Sequence, residues 1–148
     1  MPPMIFLNLP VRDLAVATDF YTGLGFRLEA HYSDEHCSCL VVSDTICVMA
    51  LRADRFCDYL AGPLGDPRAA TSAIYCLSAA TRDEVDTMVA RALALGGSRW
   101  LDKVEDGPMY GHSFADPDGH VWEVLHMDLP TDTTSSRTPA ERIQQVLN

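Results

Sequence analysis

Tyr110-Gly111-His112-Ser113-Phe114-Ala115-Asp116-Pro117-Asp118-Gly119-His120-Val121-Trp122-Glu123-Val124-Leu125-His126-Met127 is the stretch that decides the fold. It reads as a β-hairpin. Residues 110–115 alternate large with small or polar side chains, the stretch from Val121 onward is rich in strand formers, and Asp116-Pro117-Asp118-Gly119 between them is turn chemistry. Pro117 presets φ at the second turn position, and Gly119 can take the positive φ that closes a tight turn. Alternation puts Glu123 on one strand face with Val121, Leu125 and Met127, while Trp122, Val124 and His126 face the other way. An ionisable side chain among apolar neighbours needs a partner, a metal or a proton, because an unpaired carboxylate in low dielectric is costly.

Working outward toward the N-terminus, the same kinds of element recur. Residues 4–11 read as a strand with Ile5, Leu7, Leu9 and Val11 on one face and Phe6, Asn8 and Pro10 on the other; Pro10 marks a strand end or an edge. From Asp13, a plausible N-cap, Leu14, Ala17, Phe20 and Tyr21 recur at helical steps until Gly23 and Gly25 stop the element. Strands are expected over residues 26–33, 36–42 and 45–51. Residues 52–71 form a Gly/Pro/Asp-rich bridge with a short helical piece at 54–60.

After the bridge the order returns. Residues 72–78 are strand-like, Thr81 and Glu84 form a capping box for a helix whose apolar face includes Val85, Met88, Val89, Ala92 and Leu95, and Gly96-Gly97 ends it. Strands at 98–104, 110–115 and 120–127 complete the second half. Leu24-Gly25-Phe26 and Leu95-Gly96-Gly97 mark the same helix-to-strand exit, so the chain is an internal duplication of a β-α-β-β-β unit. The expected fold is α+β: two paired modules forming a curved, mostly antiparallel sheet whose open side is a cup. The expected division is one domain over residues 1–128, with module one at 4–52, a linker at 53–71 and module two at 72–128. A tail over residues 129–148 holds a possible short amphipathic helix at 139–147.

Composition bounds the function classes. The chain has 148 residues, 47% of them hydrophobic, which is enough for one adequate core. The balance of 11 basic against 21 acidic residues gives a formal net charge of −10, with no run of basic residues, and argues against nucleic acid and anionic membrane as partners. Five cysteines, an odd count with no paired CxxC spacing, read as reduced thiols. No apolar run approaches the ~20 residues needed to span a bilayer, and Met1-Pro2-Pro3-Met4 lacks a basic leader, so the expectation is a soluble cytoplasmic protein.

Leu9-Pro10-Val11-Arg12-Asp13, then Asp19-Phe20-Tyr21 and Gly23-Leu24-Gly25-Phe26, then residues 114–124 together resemble the glyoxalase/bleomycin-resistance/dioxygenase group, the vicinal oxygen chelate superfamily, over residues 4–127. The resemblance implies two paired modules and a small-molecule cup, usually within a homodimer. For enzymatic members it also implies a divalent metal that holds two substrate oxygens, with ligands from the first and last strand of each module. At those positions this chain carries Phe6, Met49 or Val48, Ile74 and Glu123, so only Glu123 could serve as a ligand. No cofactor is indicated by the residues themselves. A site rebuilt with His112, His120 or His126 stays open, against a plain reading of the histidines as surface or sheet-edge residues.

Glu123 has two readings: a structural carboxylate bonded to Tyr110, His112 or a backbone N–H, or an acid/base or ligand-binding group in an apolar cup. The ligand-binding expectation adds Phe6, Asn8, Met49, Ile74, Tyr110, His112 and Leu125 to Glu123 as the candidate catalytic residue. The first functional expectation is a dimeric small-molecule-binding protein without metal. The alternative is a lyase, isomerase or dioxygenase-type enzyme using Glu123 with a non-standard metal site or as a metal-free acid or base. Glutathione-linked glyoxalase chemistry is disfavoured by Pro10 at the position that usually supplies a cationic contact. Extradiol cleavage is disfavoured because it needs two histidines beside the glutamate on iron.

Overall fold

Strand β1 (Ile5–Val11) sends Leu9 and Val11 into the core and leaves Phe6 and Asn8 exposed, as its alternation requires. Helix α1 (Leu14–Gly23) starts at Asp13, whose carboxylate accepts from the Val16 N–H at 3.1 Å, and buries Ala17, Phe20 and Tyr21. β2 (Arg27–Leu28), β3 (Cys37–Ser43) and β4 (Ile46–Arg52) follow. With β1 they make a sheet in the order β1-β4-β3-β2, parallel between β1 and β4 and antiparallel elsewhere. The structure, a computed structural model, describes residues 2–128 and Gln144, so the expected tail helix at 139–147 lies outside the described residues but for Gln144.

A short helix α2 (Ala53–Cys57), briefer than the helical piece expected at 54–60, leads into the linker. β5 (Ile74–Ser78), α3 (Arg82–Ala94), β6 (Ser98–Arg99), β7 (Val104–Asp106), β8 (Met109–Ala115) and β9 (Val121–Met127) then repeat the plan, with sheet order β5-β9-β8-β6 and β7 on β8. The expected cap forms with one shift: the Glu84 N–H donates to Thr81 Oγ1, and the Glu84 carboxylate reaches past the N-cap residue to accept from the Ala80 N–H at 2.7 Å. The paired β-α-β-β-β organisation is therefore an α+β fold of two mixed sheets.

Two expected strands are broken. Of residues 26–33 only β2 is regular; the Glu29 N–H still reaches Cys39 O, but the Glu29 carboxylate then accepts from the His31 N–H and a single 3₁₀ turn, Ala30–Tyr32, follows. The stretch 98–104 splits into β6 and the start of β7, because the Leu101 N–H donates to Ser113 Oγ at 3.1 Å in place of a ladder partner. In both, a side-chain acceptor outcompetes the ladder.

Helices cover one face of each sheet, and those covered faces share a core. Phe20 and Tyr21 of α1 meet Phe114 of β8 and Trp122 of β9, with ring centroids 6.1 Å apart for Phe20–Phe114 and 5.8 Å for Tyr21–Trp122. Among the described residues no ladder joins the edge strands β1 and β5. A cleft of about 300 Å³ lies there, walled by Asn8, Tyr75, Val121 and linker residues including Leu64 and Pro67.

The β8–β9 turn fastens the two halves. Asp116 Oδ1 accepts from the N–H groups of Asp118 (2.9 Å) and His120 (2.8 Å), and Oδ2 accepts from Tyr21 Oη at 2.5 Å. Trp122 Nε1 donates in turn to Tyr21 Oη at 3.1 Å. Burial pushes both the Asp116 carboxyl and the Tyr21 hydroxyl above their ordinary pKa values. Around them Arg12 binds Asp118 by its backbone and guanidinium N–H groups, and His120 Nε2–H donates to Pro10 O at 2.8 Å. Gly119 takes the expected positive φ, +97°, and a Cβ there would sit 2.6 Å from Arg68 Cγ, so the linker packs directly on the turn. Replacing Tyr21 by Phe leaves a buried carboxylate short of a donor. Urea unfolding should show a loss of roughly 1–3 kcal/mol, and an unchanged midpoint would remove this bond from the account.

Candidate functional site

β9 is the inner strand of the second sheet, and its alternation splits function from packing. Trp122 and Val124 are buried beneath α3, whereas Glu123 and Leu125 stand half-buried on the face without helices. Register sets the neighbours of Glu123. Cys76 lies beside it on the parallel strand β5, and Ser113 lies opposite it on the antiparallel strand β8. Cys76 Sγ is 3.9 Å from Glu123 Oε1, and the thiol donates to the carboxylate. Burial first, then the Glu123 charge, pushes the Cys76 thiol up to about 11. Burial and the neighbouring carboxylate thus both disfavour the Cys76 thiolate.

Gly111 completes this geometry. It faces Leu125 and Val104 across its two neighbouring strands, and a Cβ there would meet Leu125 Cδ1 at 3.3 Å and Glu123 Oε1 at 3.9 Å. Gly111 is itself buried, so Leu125 already packs over it beside the carboxylate, and a larger side chain there would push Leu125 aside. Ile74, 54% exposed, and Val104, 50% exposed, give the same face apolar surface open to contact.

The sequence-expected residues divide between faces. Glu123, Leu125 and Ile74 share the open face of the second sheet. Phe6, 52% exposed, Asn8 and Met49 share the open face of the first, where Asn8 is the register partner of Met49 and its side-chain amide donates to Phe6 O at 3.4 Å. Tyr110 and His112 are on the other side. They pair with His126 and Val124, and Tyr110 Oη donates to Asp86 of α3 at 2.7 Å. Burial, then the Lys103 charge, holds the His112 imidazole below its ordinary pKa. Neither residue is brought to Glu123. His120 is turned to Pro10 O, and the ring nitrogens of His126 face away from Glu123, Nδ1 toward Ala79 O and Nε2 toward Asp128.

Sequence reasoning passed over Ser113 and the pairing of Cys76 with Glu123. Both follow from register: the length of the β8–β9 loop signals Ser113, whereas the parallel β5–β9 register that sets Cys76 has no local signal in the sequence. The donor set does not fit the divalent ion that the superfamily's enzymes imply. Phe6, Met49 and Ile74 have no hard donor, and among the described residues no three His, Cys, Asp or Glu side chains converge, while a catalytic divalent ion generally takes three protein ligands.

A duplicated β-α-β-β-β fold with an acid on the last strand of the second unit defines a class, and the family model agrees. The chain belongs to the Glyoxalase/Bleomycin resistance protein/Dioxygenase superfamily, whose model matches residues 4–124. Among solved structures it is similar to a glyoxalase-related enzyme from Fulvimarina pelagi, at 18% identity and a TM-score of 0.74 over 93% of this chain and 98% of that one. A hypothetical protein from S. aureus is similar at 24% identity and a TM-score of 0.72 over 85% and 94% of the two chains. The fosfomycin resistance protein FosX from Listeria monocytogenes is similar at 18% identity and a TM-score of 0.62 over 96% and 98%. No curated protein matches the sequence.

The thiol–carboxylate contact has a chemical readout. Removing the charge in Glu123→Gln should lower the Cys76 pKa and speed its alkylation by iodoacetamide at pH 8.5 by a few-fold, about what a shift of half a unit allows. Peptide-level mass spectrometry measures the rate, and an unchanged rate would show that the two groups do not sense each other.

Proposed function

We propose that this chain is a small-molecule-binding member of the superfamily, and that its site is the open face of β5, β8 and β9 around Glu123. The observation that carries the reading is a half-buried carboxylate set among Ile74, Leu125 and Val104 and lacking, among the described residues, the donors of a metal site. Such a face suits a mostly apolar ligand with one polar group directed at Glu123. Phe6, Asn8 and Met49 would line the counterpart face of the first module.

A second copy would complete the site. β1 and β5 each end a sheet, and Ile5, Phe6 and Ile74 beside those edges are about half exposed, which is surface that a homodimer would cover. Fosfomycin, a small phosphonate, is not proposed as the ligand on the strength of the FosX likeness, because the face around Glu123 carries no basic side chain among the described residues.

The enzyme reading rests on a different observation: Glu123 Oε2 has no hydrogen-bond partner among the described residues, so a carboxylate oxygen is free to take or give a proton. That reading is a metal-free lyase or isomerase with Glu123 as base.

The test joins three measurements on the purified protein. Sedimentation velocity should give a dimer, and metal analysis after chelation should find no stoichiometric divalent ion. Nile red, a neutral apolar dye, should bind saturably to the chelated protein. Dye binding that disappears on chelation and returns with a stoichiometric ion, and that is lost in Glu123→Gln, would replace this reading with a metalloenzyme.

A further inference from the structure

We infer, on the basis of the binding reading above, that the face around Glu123 selects cationic amphiphiles: apolar molecules carrying one ammonium, phosphonium or similar positive group placed against the carboxylate. The argument is a census of charge by face. Glu123 has only neutral register partners, Cys76 and Ser113, and among the described residues its one side-chain hydrogen bond is from the Cys76 thiol. Asp106, register partner of Met109, adds a second acid to the same face.

The described cations of this half lie elsewhere, Arg91 among them, exposed on α3. Arg82 is paired with Glu105 and Asp128 and lies over the Tyr110 ring, 5.1 Å from its centroid. Lys103 is 3.5 Å from Asp86 and 5.2 Å from the same ring centroid, again on the helix side. Arg99 is the register partner of Phe114, a core residue, and so shares the helix side. Among the described residues the open face of the second sheet therefore carries two carboxylates and no basic side chain.

A carboxylate partly removed from water without a counter-ion is unfavourable, and attraction to an incoming cation is stronger there than at a fully hydrated site. An anion of the same shape meets repulsion instead. Glu123 is half-buried, so the charged end meets it from the open face, and Ile74, Leu125 and Val104 receive the apolar body.

Tetraphenylphosphonium and tetraphenylborate, ions of nearly the same shape and opposite charge, isolate this property when titrated beside neutral triphenylphosphine oxide at low salt. The phosphonium should bind the full-length protein at least about tenfold more tightly than the borate. In Glu123→Gln the cation and the neutral probe should then differ by no more than about twofold. Gly111→Val, checked for folding by circular dichroism, should weaken all three by pushing Leu125 out of its place on the face.

Equal or tighter binding of the borate overturns the charge selectivity and leaves the apolar site standing. A cation preference that survives Glu123→Gln also overturns it, by assigning the preference to the general charge of −10. Binding of all three unchanged in a folded Gly111→Val places them elsewhere and overturns the assignment to this face. Failure of all three to bind removes the apolar site itself, and the selectivity with it.

Discussion

A single buried carboxylate joins the two halves of this molecule. Asp116 takes two backbone N–H groups from its own turn and the hydroxyl of Tyr21 from α1 in the other half, and Trp122 donates to that same hydroxyl. A carboxylate out of water is tolerable only with such a full set of donors, so the turn sequence and the helix sequence depend on one another. The bonds of Arg12 to Asp118 and His120 to Pro10 extend the joint to the end of β1. Together they let Phe20, Tyr21, Phe114 and Trp122 form one core instead of two partial ones.

The joint also sorts the surface. With the helix side of both sheets occupied by core and by the Arg82, Lys103, Asp86 and Tyr110 cluster, the polar chemistry of module two is concentrated behind β8. What is left on the open side is apolar except for Glu123, its thiol neighbour Cys76, the serines Ser78, Ser98 and Ser113, and Asp106. The fold is shared with structures less than 25% identical, and such likeness extends to the scaffold alone. The character of the site comes from this chain's own residues, where Phe6, Met49 and Ile74 replace the metal ligands that the resemblance implies.

Local signals were legible in the sequence. Asp13 and Thr81 cap their helices, Gly119 takes a positive φ, and β1 and β9 alternate as written, because each depends on contacts a few residues apart. The neighbours of Glu123 were not legible, for a reason of parity. A loop counted as Asp116 to Gly119, with the strand resuming at His120, sets His112 opposite Glu123. Asp116 and His120 instead pair through their backbones and leave a three-residue loop, which moves the register by one and puts Ser113 there, with His112 and Tyr110 on the opposite side. The broken strands at 26–33 and 98–104 were hidden likewise, since Ser113 Oγ and the Glu29 carboxylate capture backbone N–H groups only once the chain is folded.

If the Asp116 joint makes one cooperative body, both halves should open together. Native-state hydrogen exchange at increasing sub-denaturing urea measures this directly, through the amides of Val48 and Ala50 in β4 and of Trp122 and Val124 in β9. The account predicts that both sets merge into a single opening with the same free energy and the same urea dependence. Exchange of the β4 amides through a separate, lower-energy opening while those of β9 stay protected would show that the halves fold independently, and the shared core would lose its place in the account.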